Sequence, residues 1–326
     1  MFKTMPPALA GTSPEATRTR QACEAAMAER TPLLLVAEEG FDTGAIARWI
    51  HERSRAGLPF VAVHPAQADA GEIEAALFGS RSRAGARSVE VLGPGSAVMQ
   101  AGRGTIFIDG IADLPALVQR RLAQLLRDGE ARAAGRGAAP LQARVVASAL
   151  PSIHTEVSEG RVRADLYRRL TVQEIAVPPL RTRAADFGAI VPAAAAEISR
   201  RLDRPSPTFT QSALTVLAAL PWRRNVQELE ALLERVLRAA PDAAIKQEDV
   251  LAQLSFDGAF ARRAPSASLR EARLRFERDY IAAVLEHHHW RMSDAARALG
   301  MERANLYRKT RQLGISRAAA VSAVIR

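Results

Sequence analysis

The sequence predicts an α/β fold in which a parallel sheet carries helices on both faces, followed by a helical subdomain and a small all-α module. Three observations carry this. Short, continuously apolar runs alternate with helix-compatible stretches, the pattern of strands buried on both faces. After Pro178-Pro179 the strand pattern stops and helical periodicity takes over. Positive charge gathers at the C-terminal end: Ala261 to Arg326 hold 14 basic and 6 acidic residues, a net +8, against +2 for the rest of the chain.

The first strand is Leu33-Leu34-Leu35-Val36, followed by a loop and helix over Gly40 to Ile50. Phe60-Val61-Ala62-Val63, Thr105-Ile106-Phe107-Ile108 and Arg144-Val145-Val146-Ala147 are the next three strands. Between the last two, Leu114, Leu117, Val118, Leu122, Leu125 and Leu126 follow helical spacing, interrupted only by Arg121. Ala184 to Leu202, Gln211 to Leu220 and Asn225 to Ala239 are expected to be helices with no strand between them, their alanines favouring that state. Ser255 to Ala267, with Gly258 and Pro265, reads as a linker. The expected domains are 1–177, 178–254 and 268–326, with 255–267 joining the last two.

Composition narrows the function classes. With 326 residues, 48% hydrophobic and 25% charged, the chain has the make-up of ordinary globular domains and enough apolar material for a sizeable core. A lone cysteine, Cys23, excludes an intramolecular disulfide and any multi-cysteine zinc site. No apolar run reaches membrane-spanning length, and Met1 to Ala10 lacks a signal-peptide core, so a cytoplasmic protein without a membrane partner is expected. The basic C-terminal module points to a polyanion, most often nucleic acid.

Within that module, a helical unit over Trp290 to Leu299, a turn at Gly300 and a basic helix over Glu302 to Leu313 have helix-turn-helix geometry, whose second helix enters the major groove. Leu306, Thr310 and Leu313 are expected to face inward, with Arg303, Asn305, Arg308, Lys309 and Arg311 around the outer side. Arg303 and Asn305 at the helix start suit bidentate contacts to guanine and adenine edges. Arg308, Lys309 and Arg311 suit phosphates or a mixture of contacts. Leu269, Ala272, Phe276, Tyr280, Ala283 and Val284 form an apolar face for a core, a dimer or both. His287-His288-His289 is read as a helix end rather than a metal site, because neighbours on a helix point apart.

Six blocks in the body follow one another in a recognisable order: Ala10-Gly11-Thr12-Ser13-Pro14, Leu77-Phe78-Gly79, Gly104-Thr105-Ile106-Phe107-Ile108-Asp109, Arg163-Ala164-Asp165-Leu166-Tyr167-Arg168-Arg169-Leu170, Pro178-Pro179-Leu180-Arg181 and Asn225-Val226-Gln227-Glu228-Leu229. Over about residues 8–255 they resemble the AAA+ domain of bacterial enhancer-binding regulators of the NtrC type, which remodel RNA polymerase carrying sigma-54. Ser293 to Met301 and Asn305-Leu306-Tyr307-Arg308-Lys309 to Ile315 resemble the Fis-type DNA-binding domain that ends those regulators, with Glu302 in place of the usual serine. The resemblance implies an AAA+ parallel sheet, a helical lid subdomain and a helix-turn-helix domain, and it adds Tyr307 to the DNA-binding set. It starts at about Leu9, so no receiver domain is expected ahead of it and no control by aspartate phosphorylation in cis.

The chemistry of the resembled ATPase is incomplete. The family's phosphate-binding loop reads Gly-Glu-Ser-Gly-Thr-Gly-Lys, and here the loop is Ala37-Glu38-Glu39-Gly40-Phe41-Asp42-Thr43. Thr43 stands at the lysine, and no lysine occurs between Lys3 and Lys246. Glu39 and Asp42 add carboxylates where phosphates would lie, each worth roughly 3 kcal/mol of repulsion at ~5 Å and an effective dielectric of ~20. Asp109 suits a magnesium ion, but Gly110 replaces the glutamate that orients water, Leu150 replaces an asparagine and Gln227 replaces a lid arginine. Arg163 and Arg169 match arginine fingers, and with the other parts gone they are read as interface or surface salt-bridge formers. After Leu77-Phe78-Gly79 the aromatic that touches sigma-54 is absent and Arg81, Arg83 and Arg87 follow, a flexible basic loop or a second contact to DNA or an acidic partner.

The expected function is a sequence-specific DNA-binding transcription regulator, nucleoid-associated, dimeric or larger, with no enzymatic activity and no cofactor. Double-stranded DNA is the expected partner, with RNA polymerase or another regulatory protein as a second. ATP and magnesium are implied by the resemblance and disfavoured by Gly40, Thr43 and their neighbours. An active sigma-54-dependent ATPase and a nucleotide sensor that binds without hydrolysis stay open as alternatives.

Overall fold

The computed structural model describes residues 5–79, 91–93, 95–133, 138–239, 244–254, 281, 285, 290–298, 302–313 and 315. The chain divides into two compact units, Met1–Leu254 and Ser255–Arg326.

The first unit opens with α1 (Pro14–Ala28), capped by the Ser13 hydroxyl, and continues through β1 (Leu33–Val36), α2 (Thr43–Ser54), β2 (Phe60–Val63) and α3 (Ala70–Phe78). Then come β3 (Val91–Leu92), α4 (Ala97–Ala101), β4 (Thr105–Ile108), α5 (Ala116–Asp128), β5 (Glu130–Ala133), β6 (Ala138–Pro140) and β7 (Arg144–Ala149). α6 (Ile153–Ser158), α7 (Ala164–Leu170) and β8 (Gln173–Ala176) complete the α/β part. The main sheet has the order β2-β4-β7-β1-β8 with every neighbouring pair parallel. All four strands expected from the sequence are present, and β8 is a fifth, on the edge beside β1.

The sheet is buried on both faces, as the apolar runs predict. Leu33 and Leu35 of β1, Phe107 of β4 and Val146 of β7 join one core with Ile46 and Trp49 of α2. Leu34, Ile106, Ile108, Val145 and Ala147 point the other way, into a second core with α3, α5 and α7. This is the two-residue alternation of a strand with apolar cover on each side. The first core runs on without a break into the lid, through Ile190, Val191, Leu229 and Leu233.

The lid comprises α8 (Phe187–Arg201), β9 (Thr208–Phe209), α9 (Gln211–Ala218), α10 (Asn225–Ala239), β10 (Ala244–Ile245) and α11 (Gln247–Gln253). The expectation of helices without strands is corrected here: β9 and β10 pair in parallel, two residues each. Such short strands sit below the length at which alternation is readable.

In the second unit, helices Met292–Ala298 and Arg303–Gln312 are described, with Ala295, Ala296 and Leu306 buried beside Ile281 and Leu285. The expected linker, the apolar face Leu269, Ala272, Phe276, Tyr280, Ala283 and Val284, the three histidines, Gly300 and the basic loop from Ser80 to Ser88 lie outside the described residues. Among the described residues no helix is long and apolar enough to cross a membrane, and no group of acidic, histidine and cysteine side chains is placed to hold a metal.

Candidate nucleic-acid interface and the β1–α2 cleft

The β1–α2 loop is where a parallel α/β sheet presents a helix N-terminus to a phosphate. In this chain the groups there are engaged internally. The Asp42 carboxylate caps α2, accepting from the Ala45 amide at 2.7 Å. The Thr43 hydroxyl donates to Asp109 Oδ1 at 3.3 Å. Asp109 also accepts from the Ser148 hydroxyl at 2.8 Å and lies 3.2 Å from His64 Nδ1. Thr43 and Asp109 are thus brought together as the resemblance implies, but through a direct bond between them. After Asp109 the chain turns at Gly110, whose φ is +89° and whose amide donates to Ser148 Oγ at 2.9 Å. The positive φ strains any side chain at Gly110, and a Cβ there would also displace the Asp113 carboxylate, 2.5 Å away at Oδ2, so a glutamate is disfavoured in this turn.

Gly40 is held against the lid. Its φ is +84°, its carbonyl accepts the Gln227 amide at 2.9 Å, and a Cβ there would lie 1.9 Å from the Arg224 carbonyl oxygen. Glu38 forms a bidentate pair with Arg181, both contacts 2.6 Å. The hydrogen bonds from Arg181 hold the Glu38 carboxyl below its usual range, against a smaller opposing effect of burial. Buried Asn225 completes the clasp: its amide donates to the Glu39 carbonyl at 2.9 Å and to Glu38 at 3.3 Å, and its oxygen accepts the Leu180 amide at 3.0 Å. Leu150 is exposed at the end of β7, and the Gln227 side chain is exposed too.

Asn225 sits at φ +43°, a conformation asparagine tolerates better than other side chains. Asn225→Ala leaves the Leu180 amide and Glu39 carbonyl without partners and puts alanine at positive φ. A loss of about 2–4 kcal/mol is expected. It is measured as a lower urea midpoint at unchanged slope.

Arg163 and Arg169 lie on or beside α7. Arg163 pairs with Asp165 through two contacts, 3.0 and 2.9 Å, in an exposed position, and its amide donates to Gln119 Oε1 at 2.8 Å. Arg169 is half-buried in the last turn of α7, near enough to Asp128 to help lower that carboxyl's pKa after the larger effect of the adjoining Arg127.

In the C-terminal unit, Leu306 and Thr310 are buried and Leu313 packs against the same small core, as their spacing predicts. Arg303, Asn305, Tyr307, Arg308 and Arg311 are exposed, and Lys309 is half-buried at the margin. The Arg308 guanidinium donates to Asn305 Oδ1 at 2.9 Å, and Arg303 lies over the Tyr307 ring, 5.8 Å from its centre. The helix therefore presents a polar, cationic surface bearing one aromatic ring, held from behind by Leu306 and Leu313 with the buried Thr310 between them.

The comparisons agree with this architecture. The family profile described as "Sigma-54 interaction domain" matches residues 9–176. An AAA+ ATPase lid domain profile matches 181–267, and a bacterial regulatory protein profile of the Fis family matches 273–313. The chain belongs to the family of bacterial transcription regulators built on the sigma-54 interaction domain. Within that class it is similar to the nitrogen assimilation regulatory protein NtrX of Azorhizobium caulinodans, 30% identical over 96% of this chain and 70% of that protein. It is also similar to the Nif-specific regulatory protein of Azotobacter vinelandii, 34% identical over 82% of this chain and 52% of that protein. The DNA-binding transcriptional regulator NtrC of Rhizobium meliloti is 31% identical over 87% of this chain and 65% of its own length. Across these three the match spans between about half and about 70% of the relative. A crystal structure of NtrX from Brucella abortus in complex with ATP superposes with a TM-score of 0.62 at 27% identity, covering 97% of this chain and 70% of that one.

The sequence points to Gly40, Thr43 and Asp109 but not to Ser148 and His64, which bond Asp109, nor to Asn225, which bonds Glu38 and Glu39 beside Gly40. Asn225 opens the block Asn225-Val226-Gln227-Glu228-Leu229, so the position is visible in the sequence, but its partners Leu180 and Glu39 are 45 and 186 residues away.

Proposed function

We propose that this chain is a sequence-specific DNA-binding regulator whose AAA+ module neither binds nor hydrolyses ATP and serves as a scaffold for self-association or partner contact. The observation that carries this reading is the α2 N-terminus: Asp42 accepts the amide hydrogen bond there, and Thr43 replaces lysine and spends its hydroxyl on Asp109. A nucleotide phosphate at this position meets a carboxylate already seated at the helix dipole, and Thr43, not a cationic side chain, stands next to it. The residues present do not fit a magnesium nucleotide. With Gly110 in a turn made for glycine, no side chain there orients a water. The loop after Gly79 carries no aromatic before Ser88, which argues against the family's usual contact with sigma-54.

DNA recognition rests on the exposed set from Arg303 to Arg311, and double-stranded DNA, a second copy of the chain and a polymerase or regulatory partner are the proposed associates. Retention of Asp109 favours one second reading, a nucleotide sensor that binds without hydrolysis. One experiment separates the readings: titration with labelled ATP and magnesium, alongside a phosphate-release assay. No saturable binding at millimolar ATP and no release above background are expected. Saturable binding alone supports the sensor, and a saturable rate lost in Asp109→Ala overturns the proposal.

A further inference from the structure

A crevice of about 440 Å³ opens at the end of the sheet where the strands begin, away from the β1–α2 loop. Its walls come from the end of α1, the end of α2 and the segments leading into β4 and β7, and include Glu29, Arg30, Arg55, Leu58, Arg103 and Gln142. That volume falls in the range of small-molecule sites. Three guanidiniums against one carboxylate leave the lining at +2.

Arg55 is the telling residue. It is 9% exposed, and among the described residues its guanidinium has neither a hydrogen bond nor an ion pair. The buried arginine beside it, Arg144, is fully engaged, donating to Thr31 O, Ala26 O and Gln173 Oε1 at 2.7–2.9 Å. Of the two, Arg55 is therefore the one without a counter-group among the described residues, and its guanidinium nitrogens are open to the crevice rather than sealed in the core. Burial foremost, and then the charge of Arg30, push its pKa down, and burial first and then Arg55 lower that of Arg144. Positive potential is concentrated here and not discharged by an ion pair to Arg55 among the described residues. A carboxylate neutralises one such charge; a phosphoryl group near pH 7 brings between 1.5 and 2 negative charges and oxygens that match guanidinium forks.

We propose that this crevice binds the phosphoryl dianion of a small molecule, with Arg55 at its base and Arg30 and Arg103 at its mouth. The site is independent of the reading of the ATP cleft, since it lies at the opposite ends of the strands. It gives the regulator an input for a phosphorylated metabolite or for free phosphate.

The test is calorimetric titration of the full-length chain at constant ionic strength set with chloride, with inorganic phosphate in one arm and ribose 5-phosphate in the other. Saturable binding of at least one probe is expected, the tighter of the two identifying the source. Arg55→Met should weaken it at least tenfold and Arg103→Ala several-fold, while Arg18→Ala, on the far end of α1, should change it less than twofold. Should Arg55→Met fail to fold, Arg103 is exposed and its variant carries the test. A second readout is the thermal midpoint, which the bound probe should raise in the wild type and leave unmoved in Arg55→Met. Absence of saturable binding in both arms, or equal affinities in wild type and both crevice variants, overturns the proposal.

Discussion

Asp186→Ala is expected to destabilise the first unit by about 3–5 kcal/mol, the cost of leaving one partner of a buried ion pair without its counter-charge. The Asp186 carboxylate lies 3.0 Å from Arg183 Nε, both side chains inaccessible to solvent. The same carboxylate accepts the Thr12 amide at 2.9 Å, the Ser13 amide at 2.8 Å and the Ser13 hydroxyl at 2.6 Å. Ser13 is the cap of α1, so Asp186 fixes the first helix to the start of the lid. Arg183 completes the tie by donating to the Ala8 and Ala10 carbonyls. Gly11 is obligatory there: its φ is +117°, and a Cβ would fall 2.2 Å from the Asp186 carboxyl carbon. Substitution of Asp186 orphans the Arg183 charge and three donors at once.

This pair also sets an acid limb. Burial alone would raise the Asp186 pKa, but the hydrogen bonds from Ser13, Arg183 and Thr12 together outweigh it and leave the pKa lowered. An unfolded aspartate titrates near ~3.9. The unfolded chain therefore takes up the proton first as pH falls, and the stabilisation is complete above about pH 4 and lost as pH drops through the lower folded pKa. The gap between wild type and Asp186→Asn, read from urea midpoints at successive pH values, is expected to be constant from pH 7 to about 5 and to narrow below about 4. A gap that widens with acid contradicts the assignment.

The clasp at Asp186 shows what was legible in the sequence and what was not. The block Ala10-Gly11-Thr12-Ser13-Pro14 is visible as a motif, but its physical reason is a carboxylate 173 or 174 residues away, and no local pattern carries a contact of that range. β1, β4 and β7 were legible because they are central strands with apolar side chains on both faces. β8 was not, because it is an edge strand in which only Ile175 is buried and its neighbours are Gln173, Glu174 and Ala176. Helix α1 was equally silent, since the side it buries is Ala16, Thr19, Cys23 and Ala26, too small and mixed to stand out. In the cleft, substitutions at named positions, such as Thr43 for lysine, were readable one by one. That Asp42, Asn225 and Ser148 consume the freed hydrogen-bonding groups required the fold.

The helix Arg303–Gln312, proposed to bind DNA, makes the most specific functional prediction. A dimer carrying one such helix per subunit reads two half-sites about one helical turn apart, roughly 34 Å. Arg303 and Asn305 are exposed in the first turn of the helix Arg303–Gln312, the part that reaches base edges when such a helix enters the major groove. Arg303→Ala or Asn305→Ala is expected to cost about 1–3 kcal/mol on the preferred site and much less on random duplex, because a lost bidentate contact removes discrimination rather than charge attraction. The hydrogen bond from Arg308 to Asn305 adds a condition: Arg308 orients the asparagine oxygen, so Arg308→Ala should weaken binding to all sequences and also erode discrimination at the Asn305 position. If Arg311, exposed near the end of the helix, contacts phosphate, Arg311→Ala should weaken binding uniformly and reduce the slope of log affinity against log salt by about one. A salt-series titration of wild type and the four variants on selected and random duplexes distinguishes these outcomes. If Arg303→Ala and Asn305→Ala weaken random and selected duplexes equally, the helix contacts only the backbone and the base-reading assignment fails. If the full chain shows no DNA binding at low salt, the regulator reading loses its support, since counterion release alone should hold a surface of this charge on a duplex.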